Sequence, residues 1–400
     1  MAAASGAILV LPTPTAGQQG PVAAWVSTAG WASAARRVLG AAWIVTPGGL
    51  VEPEDARRRG SHPRLSSDSA SALRRRMPGL AKTAIKDLRD WRRSRQFRIP
   101  PAGPWRDRTV SFVWQRHELF HTAGISLART LDVPTVLFVP ATLVWQSEQW
   151  GVSRPGWERW LERRGEQPAL RAADLVACGS AEVADQVRRL GVRGERILIT
   201  PTGVDLDLFA NRTDARPLRK RLGLASRFVV GWVGSFRRFH ALEQAVDAVA
   251  QLQGATLLLV GDGPERRRVE QLAQARGAEA VFVGTVPHAE IPAYARAMDV
   301  GLVLADSATD FHYSPLKLAE YLAAARPVIA PRVPHLEARL THGVDAVLVT
   351  PGDTDSLVEC LRRLQADPAA RRRLGASARA AAEARWSWDH QVRRILDALR

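Results

Sequence analysis

The stretch HYSPLKLAEYLAAARPVIAP, residues 312–331, sets the reading of this chain. Ser314-Pro315 opens a helix, because proline costs nothing at a first helical position, where its missing N–H would have no partner anyway. Leu318, Tyr321 and Leu322 recur at helical spacing. Val328-Ile329-Ala330, bounded by Pro327 and Pro331, reads as a short buried strand. The chemistry sits in the first turn. N–H groups at a helix start lack partners and lie at the positive end of the dipole, so they suit a phosphate. Lys317 adds a cation there. Glu320, three residues on, can accept hydrogen bonds from two adjacent hydroxyls, as on a ribose. One helix thus carries partners for both halves of a nucleoside diphosphate.

Outward from this stretch, short apolar runs alternate with helical periodicity. Runs at 228–233, 256–260, 280–283 and 301–304 precede it, 327–330 lies inside it, and 346–349 follows. The first half shows the same alternation: strands at 7–12, 42–46, 109–114, 135–139, 175–178 and 197–199, with helices over 22–39 and 122–131. Strands alternating with helices predict a parallel, doubly wound α/β sheet, and two such series predict two Rossmann-like domains. A polar segment near 209–217 sets the boundary, giving domains over 1–210 and 211–385.

The chain has 400 residues, 46% of them hydrophobic, and a net charge of +16. That length is ample for two domains. Two cysteines, Cys178 and Cys360, cannot build a disulfide framework, so a reducing, cytoplasmic setting is expected. The start MAAASG lacks the basic region of a secretory leader, and no apolar run reaches the roughly 18–20 residues of a membrane span. The charge is concentrated. Residues 57–108 hold 14 Arg and 2 Lys against four Asp, a net +12. One reading is an anionic partner: peripheral membrane contact, nucleic acid or a phosphorylated acceptor. The preferred reading is an Arg/Ser loop over 57–76 followed by solvated helices. Ala81, Ala84, Ile85, Leu88 and Trp91 would then form a face packed on its own domain. Aromatic residues are not interleaved with the basic ones, so nucleic acid is not expected.

Five motifs in order resemble glycosyltransferase family 4: TPTGVDLDLF (200–209), GWVGSFRRFH (231–240), LLLVGDGPE (257–265), VFVGTVPH (281–288) and the Ser314–Glu320 helix with its RPVIA strand (326–330). Their order is more specific than any single match. The resemblance implies the GT-B fold, two Rossmann-like domains facing each other across a cleft, with a last helix (386–400) crossing back onto the first domain. It implies a retaining hexosyltransferase that uses a nucleotide-diphosphate sugar, UDP- or GDP-linked, without a cofactor or bound metal. Lys317, Arg237 and His117 form the implied catalytic set. Donor contacts fall to Gly17 and Gly20 as an amide nest, and to His240, Gly261, Thr285, Val286, His312, Ser314, Pro315, Leu316 and Glu320. Arg116, Glu118 and Glu148 are the acceptor-side candidates, for a hydroxyl on a small-molecule or lipid-linked acceptor.

The sequence departs from the family pattern in places. Ser235 and His240 stand where an Arg and a Lys bind the diphosphate, so Arg237 or Arg238 must supply the charge, and a phosphate contact through His240 would depend on pH. His312 replaces the first of two Glu eight apart; Glu320 is the second. His117-Glu118-Leu119-Phe120-His121 is also a literal zinc-peptidase pattern, but it directly follows an apolar strand and lacks a third ligand motif. Three other functions remain: a silent GT-B partner subunit, a nucleotide-sugar epimerase or phosphorylase on the same fold, and a basic membrane- or nucleic-acid-binding protein, for which only residues 57–108 speak.

Overall fold

The computed structural model describes residues 5–12, 22–60, 79–210, 214–308, 311 and 314–400. The chain divides into two compact units, residues 1–201 with 388–400, and residues 202–387. The division lies earlier than the polar segment at 209–217. The reason is that 202–209 is bonded into the second unit: Val204 N–H donates to the Trp386 carbonyl at 2.7 Å, and Arg296 donates to the Phe209 carbonyl at 2.8 Å.

The first unit holds seven strands: β1 (Ser5–Val10), β2 (Gly40–Thr46), β3 (Gly49–Val51), β4 (Thr109–Arg116), β5 (Thr135–Val139), β6 (Leu175–Cys178) and β7 (Ile197–Ile199). Their order is β3-β2-β1-β4-β5-β6-β7. All pairings are parallel except β2 with β3, a tight hairpin that the sequence reading did not foresee. Helix α1 (Val22–Leu39) packs against the last helix, Trp388–Ala398. Trp31 and Trp388 lie 5.2 Å apart, and Arg37 pairs with Asp389 at 2.5 Å. Gly30 is required there, because a Cβ would strike the Trp388 indole.

Helices α2 (Pro53–Gly60) and α3 (Gly79–Gln96) hold residues 57–60 and 79–96 of the basic region. Residues 57–60 of the expected Arg/Ser loop are thus helical, and 61–76 lie outside the described residues. The expected packing of α3 is reversed. Asp87 and Ser94 are buried, whereas Ala84, Ile85 and Leu88 are exposed and Ala81 and Trp91 are half-buried.

The second unit is a six-stranded parallel sheet: β8 (Phe228–Val233), β9 (Ala255–Val260), β10 (Ala280–Gly284), β11 (Val300–Leu302), β12 (Val328–Pro331) and β13 (Val347–Val349). The order is β10-β9-β8-β11-β12-β13. Every residue of β8 and β9 is buried, as a parallel sheet covered on both faces demands. Alternate side chains feed two cores. Val229, Val233, Leu258 and Val260 join Leu318, Tyr321 and Leu322 on one face. Val230, Trp232, Leu257 and Leu259 join Val246, Val249 and Leu361 on the other.

Candidate functional site

The second sheet changes winding direction at β8. The chain runs from β8 to β9 and β10 on one side, then crosses to β11 on the other. Connections leaving in opposite directions open a crevice at the carboxyl ends of the two central strands. Here β11 pairs with β8 only at Val230 and Gly231, so the Val233 N–H lies beyond the pairing. The buried Tyr321 hydroxyl accepts it at 2.7 Å. That ring lies directly on Gly301, where a Cβ would sit 2.6 Å from Tyr321 Cδ2. Tyr321 thereby ties the Leu316–Ala323 helix to the end of β8.

The helix begins at Leu316, one residue later than the Ser-Pro reading, and Pro315 is extended at φ −73°, ψ 129°. Ser314 does not cap it. Its hydroxyl accepts the Thr202 N–H at 2.9 Å, and its carbonyl accepts the Thr202 hydroxyl at 2.7 Å. Among the described residues no side chain caps the first turn.

Lys317 lies in that turn, only 8% exposed, with Nζ 4.0 Å from the centre of the Trp232 ring. A Cβ at Gly234, just past β8, would lie 3.1 Å from Nζ. Lys317 makes no hydrogen bond or ion pair among the described residues. Burial pushes its pKa down to about 7, against a smaller opposing pull from Glu320. Glu320 is buried one turn along, and His288 Nε2 lies 2.7 Å from its Oε1. His288 sits inside the VFVGTVPH motif, but the sequence gives no sign that the fold brings it to Glu320, 32 positions away.

His240 is buried against Trp232, with ring centres 5.4 Å apart. Burial holds its pKa well below the usual histidine value, and Lys317 and Arg237 add to this. A phosphate contact through His240 would then be made by the uncharged ring. The ring is neutral near pH 7, and Lys317 is the group that titrates there. Arg237 and Arg238 are exposed at the turn before it.

The loops after β8 and β9 are joined through backbone. Phe236 N–H donates to the Asp262 carbonyl at 3.0 Å, and Glu265 N–H to the Phe236 carbonyl at 3.1 Å. Gly261 has φ +130°, and a Cβ there would overlap the Gly234 carbonyl oxygen. Gly261→Ala should cost about 1–3 kcal/mol through strain and collision. Thermal denaturation reads this out as a lower Tm, and an unchanged Tm would contradict the close approach. Thr285 is exposed and Val286 half-buried beyond Gly284. Gly17, Gly20 and His312 lie outside the described residues.

In the first unit, β4 ends at Arg116 and helix begins again only at Ala123, with Phe120 at φ 68°. His117 and His121 therefore do not share a helical face as a zinc-peptidase site requires. His117 is buried, its Nε2 3.2 Å from Glu166 Oε1, and that oxygen also accepts the Leu143 N–H at 2.5 Å. This contact ties the end of β4 to the π-helical segment Glu162–Glu166. His121 packs edge-on against Phe97, and burial lowers its pKa to about 4. Arg116 pairs with Glu118 at 3.5 Å. The Glu148 carboxyl shares a hydrogen bond with Glu158; that bond, burial, and the charges of Glu158 and Glu162 raise its pKa to about 7.

The two doubly wound units define the GT-B class of architecture. The crystal structure of Anabaena HepE in complex with UDP superposes with a TM-score of 0.66 at 18% identity, covering 98% of this chain and 99% of that one. Sucrose-phosphate synthase from Thermosynechococcus elongatus gives 0.63 at 21% identity, over 98% and 97%. Residues 28–208 match the model described as Glycosyltransferase Family 4, and residues 227–367 the one described as Glycosyl transferases group 1. The chain belongs to this glycosyltransferase family. Among its curated relatives, the 2-deoxystreptamine N-acetyl-D-glucosaminyltransferase of Streptomyces fradiae is 31% identical over 49% of this chain and 48% of its own length. The D-inositol 3-phosphate glycosyltransferase of Xylanimonas cellulosilytica is 32% identical over 58% of each. The chain thus spans about half the length of the curated relatives it matches.

Proposed function

We propose that this chain transfers a hexosyl group from a nucleoside-diphosphate sugar to a hydroxyl acceptor, with retention at the anomeric carbon. One observation carries the reading: among the described residues the buried Lys317 makes no ion pair, and it lies beside a helix start with no side-chain cap and one turn from Glu320. Burying an ammonium without a counter-charge is costly, and a diphosphate in the crevice would offset that cost. In the reaction, the bond from C1 to the β-phosphate oxygen breaks as the acceptor oxygen bonds to C1. The acceptor proton passes to the leaving phosphate oxygen. Negative charge grows on that phosphate, and Lys317, Arg237 and the first-turn N–H groups stabilise it. Charge neutralisation by these side chains takes the place a metal would fill, and no carboxylate nucleophile is required.

The HepE complexes with UDP and with UDP-glucose support a uridine donor, with GDP-sugars as the alternative. Relatives named for 2-deoxystreptamine, inositol 3-phosphate and lipopolysaccharide core support a small-molecule or lipid-linked hydroxyl. The deciding experiment is thermal stabilisation by a panel of nucleotides on the wild type, Lys317→Ala and Glu320→Ala. Selective stabilisation by one nucleoside diphosphate, lost in Lys317→Ala and weakened in Glu320→Ala, is expected. No shift with any nucleotide in a folded sample would overturn the reading. Nucleotide binding without transfer to any acceptor would instead indicate the silent partner for which Ser235 and a neutral His240 leave room.

Two further results are expected. A bound diphosphate favours the charged form of Lys317, so its pKa rises from about 7 on binding. Below pH 7 both states hold the proton, and affinity does not depend on this group. Above pH 7 binding takes up a proton, so affinity falls by up to about tenfold per pH unit. Calorimetry in buffers of different ionisation heat detects this uptake, and Lys317→Met should abolish it.

Glu320 is expected to hold the ribose hydroxyls. His288 holds one Glu320 oxygen, which leaves the other to turn toward a ligand. Glu320→Ala should lower the preference for a ribonucleotide over its 2′-deoxy form by about tenfold or more, the worth of a charge-assisted hydrogen bond. His288→Ala should lower it less, and His288→Gln should restore part of it. Equal preference in all four proteins would remove both residues from ribose recognition.

A further inference from the structure

Helix α3 is built inside out. Its inward side is polar: Asp87, 4% exposed, accepts from Arg154 Nε at 2.8 Å, Arg154 Nη2 at 3.3 Å and Trp157 Nε1 at 3.1 Å. Ser94 is buried on the same side. The side bordering it is apolar and open to solvent, with Leu80, Ile85 and Leu88 exposed by 47%, 49% and 46%. At about 100° per residue, Leu80, Ala84, Leu88, Ala81 and Ile85 fall within one arc of roughly 140°. Arg92 and Arg95 lie within that arc, and Lys82, Arg89, Arg93 and Lys86 follow along its edge beyond Ile85. Of the seven large apolar side chains exposed among the described residues, three are on α3. Two more, Trp150 and Trp160, lie on the segment from which Arg154 and Trp157 reach Asp87.

Acidic groups do little to cancel this charge. Asp87 is buried with Arg154, and Asp90, the only other carboxylate on α3, pairs with Lys86 at 3.0 Å and lies 3.8 Å from Arg89. Three candidate occupants differ in what they can use. Nucleic acid would use the arginines but leave Leu80, Ile85 and Leu88 in water. A second copy of the chain would bring another basic helix against this one. A bilayer with anionic headgroups uses both features: the apolar side chains sink below the headgroups while the Arg and Lys stems keep their charges among them.

We propose that α3 is a docking surface for an anionic lipid bilayer, lying in the plane of the headgroups with Leu80, Ile85 and Leu88 inserted. No helix among the described residues is long and apolar enough to cross a membrane, so this contact is peripheral. It rests on α3 alone and stands whatever the chain transfers.

The test is co-sedimentation of the full chain with vesicles of phosphatidylcholine alone or mixed with phosphatidylglycerol, across a salt series. Partitioning onto the phosphatidylglycerol vesicles should exceed that onto phosphatidylcholine by at least about tenfold at low salt and fall as salt rises. The exposed triple variant Leu80→Ser, Ile85→Ser, Leu88→Ser should keep its thermal stability and lose at least about tenfold in partitioning. Equal partitioning onto both vesicle types would overturn the proposal. So would a triple variant that binds like wild type, since charge alone would then suffice. Concentration-dependent dimerisation abolished by the triple variant, without vesicle binding, would assign the face to a second copy and also overturn it.

Discussion

Lys317→Ala should reduce donor turnover by about 10²–10³-fold, the usual loss when a group preorganised for developing charge is removed. Lys317 differs from a surface lysine in what surrounds it. Its Nζ faces the Trp232 ring, and Gly234, lacking a Cβ that would lie 3.1 Å from Nζ, leaves room for it on the β8 side. The site is thus shaped around the ammonium before any ligand arrives, and little reorganisation is needed when charge builds on a phosphate. Two variants separate this role from packing. Lys317→Met keeps the stem against Trp232 but removes the charge. It should match or exceed the wild type in Tm without nucleotide, because an unpaired buried ammonium is destabilising. Nucleotide-induced stabilisation should disappear. Lys317→Arg keeps the charge but not the shape, replacing a compact ammonium with a planar guanidinium. It should restore only a small part of the activity. Wild-type turnover in Lys317→Met would remove Lys317 from the chemistry.

Much of the fold was legible because parallel strands buried on both faces must be continuous apolar runs. Strands read at 135–139, 175–178, 197–199 and 228–233 have the bounds found in the structure. The antiparallel β3 was not legible, since three residues, two of them exposed, carry too little pattern. At the site, Lys317 and Glu320 could be read because one helical turn sets their spacing. His288 could not, because its contact depends on how β10 and the Leu316–Ala323 helix are brought together. Tyr321 read as a core residue, but its hydroxyl also completes the edge of β8 where β11 diverges. His240 read as a phosphate contact that would depend on pH; its burial against Trp232, which favours the neutral ring, could not be seen in sequence. The orientation of α3 failed for a related reason. Apolar periodicity shows that a helix has two faces, but not which one is inside when the inner contact is an ion pair between residues 67 positions apart.

That ion pair gives the second large effect. Asp87→Ala should destabilise the attachment of α3 by about 3–5 kcal/mol, the range found when one partner of a buried pair is removed. The loss comes mainly from what remains behind. Arg154, 5% exposed, keeps its charge without the carboxylate, and Trp157 Nε1 loses its acceptor. Replacing both partners, as Asp87→Leu with Arg154→Met, removes the stranded charge and should recover most of the stability. The double-mutant cycle therefore predicts a strong coupling energy, with the double variant more stable than either single one. Hydrogen exchange locates the effect. Amides across 79–96 should exchange faster in Asp87→Ala, since the exposed apolar side of α3 contributes little to holding it, while amides of the Leu316–Ala323 helix keep their wild-type rates. Unchanged exchange across 79–96 would mean that other contacts hold α3 in place, and the buried pair would then be a consequence of its docking and not the cause.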